Sequence, residues 1–365
     1  MLIDLPAQSG KRMATLDELK GVAIVLIIVY HCTGLLGFDN LFQGQSGVDI
    51  FLVLSGLGLA LSLKDEGTKE FLIRRLAALM PRYWTALALI TVSNTLVLGH
   101  RDSVWDFGMH VLALHVIVPD SFYAIDGALW FMGMIIPLYG VAAALRPWLR
   151  AGLADRVIVS GLALTIVCHL LCNLNQADTE VIIPTVVVRI PEFFLGLATG
   201  SLLRHGSKDT TLATPVLAWA VLFYGLYAAT VDPRLLTSAN PAFGAVWSVW
   251  YLLLIVACAE TPVRILRRMA KWTGTRSFEL YLYHQPFMVD YNRHIWYQYN
   301  QQIHPTSGQL LVGIAIGFVL TVGVCLLAEA LASRLIPASN HPGPRLSLAA
   351  GAITLFWIGK VIQLY

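Results

Sequence analysis

Lys20 and His31 stand eleven residues apart in an otherwise apolar run, KGVAIVLIIVYH. At 3.6 residues per turn, that spacing returns to nearly the same helix face about 16 Å farther along the axis. A neutral imidazole, with a reference pKa near ~6.5, is a suitable general base at cellular pH, so a deep histidine on the same face as an interfacial lysine can serve proton transfer. The same spacing also suits a histidine bonded to a neighbouring helix beneath a lysine that snorkels to the interface. Spacing alone leaves both readings open. A charged group near the centre of a bilayer costs at least ~2.5 kcal/mol, so each further one in an apolar run raises a functional question.

Several runs raise it. GQSGVDIFLVLSGLGLA (44–60) carries Asp49 near one end and Ser55 in the middle. Its glycines, Ser46 and Ser55 permit close helix contact, which does not account for Asp49. Ser55 lies in VLSGL, without the G-x-S-x-G elbow of a serine nucleophile. FLIRRLAALMPRYW (71–84) brings Arg74, Arg75 and Arg82 to the entry of an apolar run. Guanidinium groups bind phosphate bidentately, so these suit an anionic ligand; ordinary charge anchoring at the cytoplasmic rim is the competing reading. In VVVRIPEFFLGLATG (186–200), Arg189 and Glu192 are three apart and can pair on one helix face. Pro191 between them frees a backbone carbonyl, as in helices that line cavities. His284, with Glu279 nearby in FELYLYHQPFM (278–288), is another deep ionisable site. His110, His115, Asp120 and Asp126 fit no metal-ligand spacing and read as solvated loop residues. Cys32, Cys168, Cys172, Cys258 and Cys325 all fall in apolar segments without a C-x-x-C spacing and read as small buried side chains. No metal site is expected.

The elements that must position these residues follow from composition. The chain is 57% hydrophobic and 13% charged, against about 25% charged in soluble domains. Its apolar blocks approach the roughly 20 residues that cross a bilayer core as helix. Spans are expected at 21–37, 47–63, 76–98, 128–145, 157–173, 181–203, 212–231, 242–260, 277–290, 309–333 and 346–363. The segment 103–119 is too short and polar for a span and reads as interfacial or re-entrant. With the N-terminus inside, twenty lysines and arginines fall on the cytoplasmic side and four outside, as the positive-inside rule requires. The N-terminal stretch lacks the apolar run and small-residue site of a cleaved signal peptide. The expected fold is therefore an all-α, polytopic membrane helical bundle of ten or eleven transmembrane helices with a cytoplasmic N-terminus. It forms a single domain over 1–365, and the longest loop is too short to fold as an appended soluble domain. A net charge of +3 gives no argument for a nucleic-acid partner.

Taken in order, LDELKGVAIVLIIVYH, GVDIFLVLSG (47–56), RRLAALMPRYW (74–84), LWF (129–131), RIPEFFLG (189–196) and SFELYLYHQP (277–286) resemble the membrane acyltransferase-3 family. Its members O-acylate sugars of bacterial envelope polysaccharides and related acceptors. The resemblance covers nearly the whole chain and implies a multi-pass enzyme of the inner (plasma) membrane that uses acyl-CoA, with acetyl-CoA the first expectation. The acceptor would be a carbohydrate or a lipid-linked glycan within the membrane lipids. By motif position it implies His31 as the base, with Lys20 orienting it indirectly or binding the donor, and a covalent acyl-histidine stays open. It implies Arg74, Arg75 and Arg82 at the donor, and Asp49, Ser55, Trp130, Arg189, Glu192 and His284 in supporting or acceptor roles. Two departures stand out. Ala78 occupies the place of a further arginine, and Trp130 is followed by FMGMIIPLY rather than an acidic pair. No fused esterase-like domain is expected, since the chain ends at Tyr365. The competing class is a transporter or flippase, which would use the same buried charges, although no repeat relates the two halves of the sequence.

Overall fold

The computed structural model describes residues 9–38, 44–100, 102–174, 182–205, 264–295 and 305–335. The expected spans 212–231, 242–260 and 346–363 lie outside them. In chain order the helices are α1 (Ser9–Leu35), α2 (Ser46–Leu61), α3 (Thr68–Val97), α4 (Val104–Val111), α5 (Trp130–Ala144), α6 (Arg146–Arg150), α7 (Ala154–Leu174), α8 (Ile182–Thr185), α9 (Ile190–His205), α10 (Arg264–Thr275), α11 (Ser277–Gln285) and α12 (Ser307–Leu335). No strand occurs among the described residues. Four helical stretches, Leu16–Leu35, Thr68–Val97, Ala154–Cys172 and Ser307–Ala330, are long and apolar enough to cross a membrane, and α2 and α5 are shorter apolar helices. The protein is an all-α membrane bundle.

Helices α7 and α12 turn large apolar side chains outward: Val159, Ile166, Leu170, Val312, Ile316 and Val319 are all more than half exposed. In water that would be a liability; in a bilayer it is the lipid-facing surface.

The chain divides into two compact units, residues 1–64 with 145–278 and residues 65–144 with 279–365. In the first unit α2 packs mainly on α9, and α1 on α10 and α2. Glycine makes these contacts possible, because lipid gives helices no hydrophobic reason to associate and close backbone approach must supply the attraction. A Cβ on Gly56 would stand 2.1 Å from the Phe193 carbonyl oxygen, and one on Gly196 would stand 2.0 Å from that of Val53. Three arginines close the end of α2: Arg204 donates to the Leu63 carbonyl at 2.6 Å, and Arg150 and Arg146 to that of Lys64 at 2.7 and 3.4 Å. They satisfy carbonyls left over past the helix end and complement its dipole.

The expected span 181–203 is broken: α8 gives way to a 3-10 turn, Val187–Arg189, before α9 begins. Pro191 lacks the N–H that a continuous helix would donate to the Val187 carbonyl. The basic stretch at 264–275, read from sequence as loop charge, is the helix α10, with Arg267 on Glu18 of α1 at 3.2 Å.

In the second unit α3 packs on α5 and α4. The segment 103–119, expected to be interfacial or re-entrant, forms α4, which ends at Val111, and a 3-10 turn at His115–Ile117; a further 3-10 turn follows at Pro119–Ser121. α11 passes at Pro286 into a π-helical segment, Pro286–Asp290, which packs on α12.

Candidate active site

In the first unit, Asp49 on the first turn of α2 meets Arg189 at the end of the 3-10 turn, with Arg189 Nε donating to Asp49 Oδ1 at 2.7 Å. Arg189 Nη1 also donates to the Thr185 carbonyl at 2.9 Å, so one guanidinium holds two segments. Both side chains are almost fully buried. Glu192, also buried, sits beside the Asp49 carboxyl. The expected pairing of Arg189 with Glu192 along one helix face therefore gives way to a bridge between helices. The physical reason is the break: a 3-10 turn winds tighter than an α-helix, so the i, i+3 neighbourhood of a regular helix does not carry across it.

Ser55 is half-buried on the same α2. On α1, Lys20 is paired with Asp17 at 3.4 Å and more than a third exposed, while His31 is half-buried with its ring edge-on to Tyr30, 5.0 Å between centroids. One helix thus carries both residues of the eleven-residue spacing.

In the second unit the three arginines of α3 differ from one another. Arg74 is engaged by Glu66. Arg82 is exposed, donates to Glu279 at 2.9 Å and folds back to donate to the Ala78 carbonyl at 3.0 and 2.8 Å. Its guanidinium thereby returns to the turn that carries Ala78. Arg75 is half-buried over the Phe71 ring at 5.7 Å, and Tyr139 and Glu66 lie in its field. Trp130 opens α5, half-buried and edge-on to Phe131. His284 is buried on α11, its Nδ1 donating to the Tyr281 carbonyl at 2.7 Å.

His110 and His115, expected to be solvated, are fully buried and stack face to face, 3.9 Å between centroids. His110 Nδ1 donates to the Asp106 carbonyl and His115 Nε2 to that of Leu129. Burial pushes them down to about 4 and about 3, so both rings are neutral at cellular pH. Asp126 is buried too, whereas Asp120 is exposed as expected. Burial first, and the neighbouring Asp290 carboxyl second, hold Asp126 well above the usual carboxylate range. Asp290 escaped the sequence reading because it ends an apolar run, where an acidic residue looks like an ordinary interfacial group. The signal that could have found it was Pro286, four residues earlier.

Comparison with known proteins identifies the family of the chain. Residues 13–330 match the acyltransferase-3 family, described as an acyltransferase domain. A candidate peptidoglycan O-acetyltransferase of Bacillus subtilis (strain 168) is 25% identical over 332 residues, covering 77% of this chain and 49% of that protein. The chain thus spans about half the length of that relative. A candidate membrane-bound transacylase of Komagataeibacter xylinus is 22% identical over 369 residues, covering 88% of this chain and 82% of its own length. No solved structure matches.

Proposed function

Because the chain belongs to the acyltransferase-3 family, we propose that it moves an acyl group, acetyl first among the candidates, from cytoplasmic acyl-CoA to a hydroxyl of a cell-envelope glycan. The observation that carries this reading is the family match over 13–330, within which one apolar helix holds both Lys20 and His31. The relatives' names add an acetyl donor group and a peptidoglycan acceptor for one of them and a membrane-bound transacylase for the other.

In this reading the chain is a single domain of the inner membrane, crossing it about eleven times from a cytoplasmic N-terminus. The acceptor O–H gives its proton to His31 as its oxygen attacks the thioester carbonyl. The C–S bond breaks, and CoA leaves as thiolate and takes up a proton. Lys20, about 16 Å away along the helix, is too far for a direct hydrogen bond to His31 and acts on the donor or through intervening groups. Arg75, with Arg74 and Arg82 beside it on α3, holds donor phosphates. Asp49, Arg189 and Glu192 position α2 and α9, and Ser55, Trp130 and His284 belong to the acceptor side.

The test is release of CoA thiol by purified protein given acetyl-CoA and glycan. Release that needs both supports acyl transfer, whereas glycan movement without thiol overturns it in favour of transport. His31→Ala is expected to lower the rate roughly 10²–10⁴-fold, the usual contribution of a general base, with normal membrane yield. His31→Gln keeps shape and hydrogen bonding but cannot shuttle a proton, so it falls nearly as far. An active Gln variant removes His31 from the chemistry.

A further inference from the structure

At one end of the second unit, a loop residue and a helix end bring two carboxyls together. Asp126 is 3% exposed; its Oδ1 accepts the Ala128 N–H at 2.8 Å, and its carboxyl lies within hydrogen-bonding reach of that of Asp290. Gln285 presses its amide against the same loop, where a Cβ on Gly127 would come 2.2 Å from Gln285 Nε2. Gln285 Oε1 and the Tyr291 hydroxyl are buried and have no hydrogen-bond partner among the described residues, and Asp126 Oδ2 has only the Asp290 carboxyl beside it. Polar atoms left so are costly, and each calls for a reason. The π-helical segment Pro286–Asp290 sets this geometry, and such segments recur at functional sites.

A second observation adjoins the first. An open groove of about 580 Å³ runs between this segment and α12, lined by Phe287, Tyr291, Ile295, Val312, Ile316 and Leu320. Gly313 and Gly317 let α12 approach, since a Cβ on either would collide with Asn292 or Phe287. Tyr291 belongs to both features: its ring lines the groove, and its hydroxyl lies in the field of Asp290.

We propose that this is the acceptor site, taking a sugar carried on an apolar chain, with the sugar hydroxyls on Asp126, Asp290 and Gln285 and the chain in the groove along α12. This rests on the acyl-transfer reading and names its acceptor. Two carboxyls at such range share a proton, so the pair offers an acceptor and a donor together, and the Gln285 amide offers the same. Vicinal sugar hydroxyls, each both donor and acceptor, complement that set; a phosphate headgroup would be repelled by it. Exposed Arg293, whose charge acts on Asp290, is placed for a phosphate linking sugar to chain.

The test measures binding of a neutral farnesyl-linked disaccharide to the full chain in phosphatidylcholine nanodiscs, without donor, alongside farnesol and the free disaccharide. The farnesyl-linked disaccharide should bind at least tenfold more tightly than either part. Asp126→Asn with Asp290→Asn should weaken it at least tenfold without shifting acetyl-CoA binding. Should that variant fail to fold, Val312→Trp, at a position 61% exposed to lipid, fills the groove and should cut the preference for the linked over the free disaccharide at least fivefold. Equal binding of farnesol, which would mark the groove as a general lipid seat, or unaltered affinity in these variants, overturns the site. Thiol release by wild type with variant-insensitive binding overturns the site alone. Variant-sensitive binding with no thiol release overturns acyl transfer and leaves the site standing.

Discussion

The two units each bury a pair of carboxyls and treat them in opposite ways. In the first, Asp49 and Glu192 meet Arg189, whose guanidinium bonds one carboxyl and caps a broken helix, within an interface pinned by glycines. In the second, Asp126 meets another carboxyl, beside polar atoms with no hydrogen-bond partner and an open groove. The first arrangement is held by its own guanidinium and resembles a fastening, although Asp49 Oδ2 and both Glu192 carboxyl oxygens have no hydrogen-bond partner among the described residues. The second has no such guanidinium bond among the described residues and lies beside a groove. Burial alone therefore does not distinguish a structural charge from a binding one; the partner does.

The largest effect expected from this contrast is at Arg189. Arg189→Ala leaves two carboxyls buried without their cation, and breaking a buried pair in this way costs about 3–5 kcal/mol. Thermal unfolding in detergent should show it as a sharp loss of stability with poor membrane yield. Arg189→Lys should recover only part, because an ammonium cannot serve Asp49 and the Thr185 carbonyl with one planar fork. Near-normal stability of Arg189→Ala would break the comparison.

A sharper test applies one substitution to both units. Asp49→Asn should destabilise, because Arg189 loses its counter-charge, while Asp126→Asn should leave stability unchanged or raise it by relieving a carboxyl pair. The pH dependence follows from Asp126, whose carboxyl is held above its ordinary value of 3.8 by burial and then by Asp290. An acid raised in the folded state contributes stability that is fully present below 3.8 and is lost as pH rises through the folded value. Wild type should therefore lose stability with rising pH across that window, and Asp126→Asn should flatten the loss. Unfolding midpoints against pH for both variants decide it; equal slopes would count against the pairing.

The smallest effects belong to α3. Arg75→Ala should raise the apparent KM for acyl-CoA more than it lowers kcat, since uniform binding is what it removes. Arg82→Ala breaks an ion pair whose arginine is nearly half exposed, worth at most about 1 kcal/mol. An Arg82 effect on donor KM as large as that of Arg75 would show that its return to Ala78 matters to the donor.

Much of the fold was legible because apolar length and breakers act locally. The expected spans 47–63, 157–173 and 309–333 differ from α2, α7 and α12 by up to three residues at an end, and α3 begins eight residues before the span 76–98, where residues 68–75 extend the helix beyond the apolar block. α10 was not legible, since its basic residues read as loop charge until Arg267 is seen on Glu18 and Gly274 against the Asp17 backbone. At the candidate site, single residues were legible and partners were not. Asp49 and Arg189 were each conspicuous in an apolar run, but the chain between them is 140 residues long and no local pattern couples them. Asp126 and Asp290 failed for the same reason, and the stacked His110 and His115 looked solvated because short polar segments usually are.

The bridge between Asp49 and Arg189 also bears on how the chain is made. With 140 residues between its partners, and synthesis at about 5–20 residues per second, α2 leaves the ribosome on the order of ten seconds before α9. Through that interval the carboxyl waits without its guanidinium. When Arg189 arrives it brings Glu192 and two prolines into a segment that, at about 2.5–3.5 kcal/mol for a charge at the helix centre, inserts poorly by itself. The earlier helix thus acts as the receptor for the later one. The same contact that fastens the finished fold makes entry of α9 into the bilayer conditional on α2 being there first.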